Sequence, residues 1–302
     1  MKPMMIIQMM LKIPMPSPRQ NVHRGAAFVD RSTRVARCAP RSVAMLGTCM
    51  LPLVAIVALV VAGTAHAASC KAVSGAQTTP LVELYTSEGC DSCPPADRWL
   101  SSHFAGAGAA NRALALAFHV DYWDRLGWTD RFASHAYTER QYAAMQANGK
   151  TFVVTPQILL QGHEFPASGR TMPQPVLDRI AHEAAAATIE LTATSDGKEV
   201  AATAVSRIVD SAARAKSTLS IAYVDSGLVS DVKAGENKGV RLMHDHVVRA
   251  LKSAPTGDGP FSARFSVPAE RGVSPTLVAF VQSSSTGDVL QAVALPLADC
   301  RP

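Results

Sequence analysis

Two cysteines, Cys90 and Cys93, stand two residues apart in the run Glu83-Leu84-Tyr85-Thr86-Ser87-Glu88-Gly89-Cys90-Asp91-Ser92-Cys93-Pro94-Pro95-Ala96-Asp97. A thiolate on one can attack an external disulfide, and the other can then resolve the mixed intermediate. The reactivity of such a pair follows its thiolate fraction, so the elements around it matter. Leu81 to Thr86 is apolar and β-prone, and Ser87-Glu88-Gly89 breaks the strand. Pro94 and Pro95 suit the first turn of a helix, where a backbone N–H has no partner anyway. The pair therefore falls where a strand feeds a helix N-terminus, whose unpaired N–H groups favour a thiolate. Cys90, nearer the exposed turn, is expected to attack, and Cys93 to resolve. Glu88 and Asp91 place negative charge beside the pair, which should raise the Cys90 pKa against the helix effect. A structural disulfide or half of a zinc site are the competing readings of the same spacing.

The bulk charge of the chain, +5 with a pI near 9.0, suggests an acidic partner until its distribution is examined. Val43 to Ala62 is an almost unbroken apolar run, preceded by Arg31, Arg34, Arg37 and Arg41 and followed by Ala65-His66-Ala67. Basic, apolar, then A-x-A is the order of a secretory signal peptide, with cleavage expected after Ala67. An uncleaved membrane anchor is the alternative. Residues 1–67 hold eight Lys/Arg and one acidic residue, so 21 basic and 23 acidic residues follow them, a balance of −2. The case for a nucleic-acid partner leaves with the leader. The expected location is periplasmic or secreted, with the membrane involved only through the signal segment. Export implies an oxidising compartment in which disulfides persist. Four cysteines follow Ala67 and allow three pairings. With Cys90–Cys93 as the redox pair, parity leaves Cys70–Cys300 as an expected structural bridge.

Beyond the first helix, Ala113 to Val120 has the length and composition of a second strand. Strand, helix and strand make a βαβ unit, which brings the end of the second strand to the same edge as the cysteines. That edge receives His119-Val120-Asp121-Tyr122-Trp123-Asp124-Arg125-Leu126-Gly127-Trp128, either a packed turn or a wall facing a substrate. Asp130 to Ala147 reads as a helix with an irregular apolar face, ended by Asn148-Gly149. Thr155-Pro156 stands directly before the β-prone run from Gln157, a place where a proline begins a strand. Pro173 to Ala187 supplies a closing helix. From Thr188 onward, short β-prone runs recur to Leu297, separated by turns such as Ser195-Asp196-Gly197 and Thr286-Gly287-Asp288, and predict an all-β sandwich. Within them His244-Asp245-His246 could offer two metal ligands. In a strand, however, the two histidines share one face without a third donor nearby in sequence, so no metal is expected there.

The strand–CxxC–helix unit is the arrangement of thioredoxin-like redox motifs. Three segments carry a more specific resemblance: Gly89 to Asp97, Phe118 to Trp128, and Val154-Thr155-Pro156-Gln157. Together with Glu236-Asn237 and His244 to Arg249, they resemble a bacterial secreted family, domain of unknown function 1223, within the thioredoxin-like superfamily. The resemblance implies a fold of an α/β thioredoxin-like domain, 68–187, followed by an all-β sandwich-like domain, 188–302, after the 1–67 leader. It implies that Thr155-Pro156 faces the CxxC as a cis peptide and that Cys90 and Cys93 form the redox centre. Cys-Asp-Ser-Cys lacks the glycine-proline of thioredoxin, so no potential carries over.

The expected function is an exported thiol–disulfide oxidoreductase. Cys90 and Cys93 would be catalytic, and Thr155, Pro156, Asp121 and Trp123 would line a substrate groove. No cofactor is expected, and the partner is a protein or a small thiol. A second reading makes the chain a copper-handling module, with His119 or His163 joining the cysteines. A third makes it a non-catalytic binding protein whose disulfides are structural.

Overall fold

A computed structural model describes residues 13–15, 68–104, 113–165 and 174–300. The apolar run of the leader and the expected cleavage point after Ala67 lie outside the described residues. The first half of the chain forms β1 (Ile13–Pro14), β2 (Ala68–Val73), β3 (Leu81–Thr86), α1 (Pro94–Phe104), β4 (Leu114–His119) and α2 (His135–Ala147), then β5 (Phe152–Val153), β6 (Gln157–Leu160), β7 (His163–Glu164) and α3 (Gln174–His182). The second half forms β8 (Ala187–Ser195), β9 (Glu199–Ile208), α4 (Ser211–Arg214), β10 (Ser217–Asp225), β11 (Leu228–Asp231) and β12 (Arg241–His244), then β13 (Val247–Pro255), β14 (Phe261–Ser266), β15 (Thr276–Ser283) and β16 (Val289–Pro296).

The main sheet has eight strands in the order β16-β15-β10-β13-β4-β3-β6-β7. It is mixed: β3 and β4 run parallel through the α1 crossover, β3 and β6 antiparallel, and β10, β13, β15 and β16 form antiparallel neighbours. The seam between the halves is β13 beside β4, parallel, with Val247 opposite Ala117. The amide of Ala117 donates to the carbonyl of His246 across it, at 2.7 Å. A second, four-stranded sheet, β14-β9-β8-β2, recruits β2 from the start of the chain.

This architecture corrects the expected fold class. The chain is mostly β, and the α/β thioredoxin-like domain followed by a separate sandwich is not what forms. Four strands from the second half extend the first half's sheet, and one strand from the first half joins the second half's sheet. The physical reason is that pairing between strands far apart in sequence leaves no mark in local periodicity, which reports only a strand's faces.

Three apolar clusters follow the alternation of side chains on the strands. Val82 and Leu84 of β3 pack with Leu100 and Phe104 of α1 and Leu177 and Ile180 of α3. Leu81 and Tyr85, on the opposite face, join Phe118, Tyr137 and Met145 of the α2 side together with Val224, Val248, Val278 and Phe280 from the second half. The other face of β10 and β15 (Leu219, Ile221, Tyr223, Leu277, Ala279, Val281) packs on Ile189, Leu191, Val200 and Phe265 of the smaller sheet.

Cys70 on β2 is bonded to Cys300 after the last strand, closing a span of 230 residues. A bridge of this kind typically contributes about 2–4 kcal/mol. Together with the bridge at Cys90–Cys93, it marks a chain that folds in an oxidising, secreted environment.

Candidate functional site

Cys90 and Cys93 are bonded to each other at the start of α1. The carbonyl of Cys93 receives the first two helical amides, from Ala96 at 2.8 Å and Asp97 at 3.1 Å, so Cys93 stands at the helix entrance. Gly89 lets the turn approach the aromatic loop closely, because a Cβ there would sit 3.2 Å from Cβ of Trp123. The Thr155–Pro156 peptide is cis. It brings the Thr155 carbonyl to 3.8 Å from Cys90 Sγ, while Ser92 Oγ lies 3.3 Å from the same sulfur. Trp123 Nε1 donates to Thr155 Oγ1 at 2.7 Å, locking the aromatic loop to the segment beside the disulfide.

Of the four expected groove residues, Thr155, Pro156 and Trp123 are gathered at this edge. Asp121 turns away: it pairs with His135 at 3.1 Å and accepts the Thr138 hydroxyl, anchoring the start of α2. The expectation that Cys90 lies on an exposed turn is also revised, since both cysteines are fully buried. The cover is the β11–β12 hairpin, whose loop reaches back over the turn. Asn237 Nδ2 donates to the carbonyls of Glu88 and Cys90, each at 2.9 Å, and the amide of Asp91 donates to Glu236 at 3.3 Å.

Beside the helix entrance lies a group of buried ionisable side chains. Asp97, four residues after Cys93, shares its face of α1, and Thr86 Oγ1 donates to its carboxylate at 3.1 Å. His119, at the end of β4, lies 2.6 Å from Asp130, which also accepts the amide of Glu88 at 2.9 Å. Glu88 accepts Trp128 Nε1 at 2.7 Å and stands 3.2 Å from Nε2 of His244, the last residue of β12. The His119 and His244 rings meet edge to face at 5.1 Å.

Burial pulls every carboxyl here upward, and the partners decide where each ends. Burial raises Asp97 above the usual carboxylate range, and His244, His119 and the Thr86 hydroxyl only partly offset it. For Asp130 the attraction and hydrogen bond of His119 outweigh burial, so its pKa is lowered. For Glu88 the nearby His244 and Ser230 side chains and the bond from Trp128 do the same. Burial lowers His119, but Asp130 more than restores it and the net shift is upward. The surroundings thus favour the ionised forms of Glu88 and Asp130 and the protonated form of His119, while burial shifts Asp97 toward its neutral form.

A raised folded-state pKa means that the native chain binds the Asp97 proton more tightly than the unfolded chain does. Stability is therefore full below the unfolded value near 3.8 and is lost as pH rises from there through the raised folded value. Asp97→Asn is expected to unfold at higher urea than the parent at pH 7, with the gain gone at pH 3. A variant that is less stable at pH 7 would refute the direction.

The two histidines weighed for copper are not brought together. His163 pairs with Asp288 at 2.5 Å on the exposed β7, away from the cysteines. Among the described residues no group of three or more histidine, cysteine or carboxylate side chains is placed to hold a metal ion. His244 and His246 do not share a strand face either. The strand ends at His244, and His246 takes a left-handed φ of 58° and packs against Phe104. Sequence reasoning missed Asp97, Asp130 and Asn237 as members of the site. A carboxylate four residues after a helix-entrance cysteine was a readable signal for Asp97; Asn237 and Asp130 reach the site only through tertiary structure.

The chain belongs to the family described as protein of unknown function DUF1223, whose model matches residues 81–282. It is similar to a crystallised structural-genomics protein from Agrobacterium tumefaciens, at 26% identity and TM-score 0.50, over 74% of this chain and 96% of that one. It is also similar in fold to HBP35 of Porphyromonas gingivalis, at 16% identity and TM-score 0.54, over 76% of this chain and 78% of that one. A search of curated proteins finds no match.

Proposed function

We propose that this family member is an exported thiol–disulfide oxidoreductase whose working bond is Cys90–Cys93, delivered to the periplasm or medium by the expected signal peptide ending at Ala67. The observation that carries the reading is a disulfide at a helix entrance with a neutral-favouring carboxyl, Asp97, on the same helix face one turn from Cys93. A purely structural bridge needs no such neighbour, and the raised pKa makes the carboxyl a cost to the fold at neutral pH.

In the reducing direction for the pair, a thiolate of a dithiol partner attacks Cys90 Sγ. The Cys90–Cys93 bond breaks, its electron pair leaves on Cys93 Sγ, and Asp97 supplies the proton that makes Cys93 a thiol. The partner's second thiol gives its proton to Asp97 and attacks the mixed disulfide. Oxidised partner is released, and Cys90 takes up from water the proton that the first thiol lost. Two electrons and two protons have then moved from partner to protein. In the opposite direction Asp97 draws the proton from Cys93, and the resulting thiolate resolves the mixed disulfide. Proton transfer by a placed side chain typically accelerates such a step by about 10²–10⁴-fold.

The test is the equilibrium between the Cys90–Cys93 pair and glutathione buffers, with a catalytic amount of a small dithiol protein to carry the exchange, read by thiol alkylation and mass spectrometry. A reversible potential above about −300 mV is expected, the level below which structural bridges of secreted proteins fall. A native pair that stays oxidised throughout would assign the bridge a structural role and remove this reading.

A further inference from the structure

We infer that Asn237 is a specificity-determining residue, the latch of a cover over Cys90 that holds out small thiols and yields to a polypeptide partner. The inference rests on the redox reading of Cys90–Cys93. A thiol must reach Cys90 Sγ along the line of the S–S bond, yet neither cysteine has exposed surface. Something must move before any exchange takes place.

The candidate for movement is identified by its attachments. Among the described residues β11 and β12 pair only with each other, so no ladder there ties this hairpin to either large sheet. Its loop is internally braced, with Val232 bonded to Val240 at 3.0 Å and Gly239 to Val232 at 2.8 Å, so it can swing as a unit. Its strands are held by the burial of Leu228 and Leu242 and by the bond from Arg131 to Val229, and its loop by the burial of Val232 and by contacts over the turn. Asn237 is 6% exposed, and its one amide nitrogen spends both protons on the Glu88 and Cys90 carbonyls. Glu236 accepts the amide of Asp91 at an exposed 3.3 Å. Gly235 rests close against Trp128, where a Cβ would come within 3.1 Å of Trp128 Cβ. At the hairpin's root His244 meets Glu88. Withdrawing the loop breaks the two Asn237 bonds and the Glu236 contact while the root stays in place.

The atoms released name the class of partner. With Asn237 withdrawn, two carbonyls flanking Gly89 face outward, and both require N–H donors when covered again. An extended polypeptide carries backbone N–H groups that can replace the Asn237 amide as its own disulfide or dithiol meets Cys90. A small thiol such as dithiothreitol carries no N–H group and cannot supply that replacement. The closed cover thereby favours protein substrates.

The experiment measures the reduction rate of Cys90–Cys93 by dithiothreitol and by a small reduced dithiol protein, in the unaltered chain and in Asn237→Ala. Removing two hydrogen bonds from the closed state should raise the dithiothreitol rate by roughly 10- to 100-fold and raise the protein rate much less. Equal rates in the two forms would overturn the latch, as would an equal gain for both reductants. Hydrogen exchange in the unaltered chain gives a second reading that needs no variant. The amide of Asp91, which the loop covers through Glu236, should exchange more readily than those of β10 and β15. Exchange at the level of the core amides would also overturn the proposal. If the pair resists reduction in both forms, the redox reading falls, and exchange alone then judges the cover.

Discussion

Cys93→Ala is expected to stop turnover and to accumulate mixed disulfides with partner proteins at Cys90. The second thiol of a CxxC resolves the intermediate because it is already in place, and a solution thiol must replace that advantage by collision. The loss in resolution rate should be about 10³-fold or more. The roles follow from position: Cys90 Sγ lies against the Thr155 carbonyl and Ser92 hydroxyl in the turn, while Cys93 begins the helix one turn from Asp97. Non-reducing electrophoresis with mass spectrometry of the trapped adduct provides the measurement, and Cys90→Ala should trap nothing. Adducts on Cys93 in that control would exchange the two roles. No adduct in either variant would count against redox exchange altogether.

The largest loss of stability is expected from Arg140→Ala. Arg140 on α2 grips Glu83 of β3 with two bonds of 3.0 Å, and its third goes to Gln282 of β15 at 2.9 Å. Its guanidinium lies between the rings of Phe118 and Phe280, 5.2 and 5.1 Å from their centroids. Glu83 is 1% exposed, so truncating Arg140 strands a buried carboxylate, with only the Tyr85 hydroxyl left as a donor at 3.0 Å. Removing one partner of such a pair typically costs about 3–5 kcal/mol. A shift of that size in the unfolding free energy from urea titration is expected, and Glu83→Gln/Arg140→Met should recover most of it. A loss below about 1 kcal/mol would mean that the pair is as weak as a surface bridge.

The contrast between these residues shows what one dimension carries. The cysteine pair, the strand before it and the helix after it were legible because each is written in a run of adjacent residues with a clear period or breaker. The strands from Thr188 onward were legible for the same reason. Arg140 was hidden inside a helix whose apolar face looked irregular. Its irregularity arises because Thr138, Arg140 and Gln141 are packed inward for polar bonds rather than for area. Glu88 was read as a charge beside the thiols, and it is instead fully buried with Trp128 and His244. His244 was placed with His246 on one strand face because alternation was assumed to continue past the strand's end. The single seam at Val247 and Ala117 had no local sign at all, and it turned an expected pair of domains into a shared sheet.

The bond between Cys70 and Cys300 bears on how the chain is made. Synthesis delivers residues in order, so Cys70 is made when its partner is still 230 residues away. Cys90 and Cys93 are likewise made long before Cys300. During that interval Cys70 has only those two thiols of the later four for company, and any bridge it forms with them must be exchanged away. Completion of the staple thus depends on the whole polypeptide: a chain truncated before Cys300 leaves Cys70 without its partner.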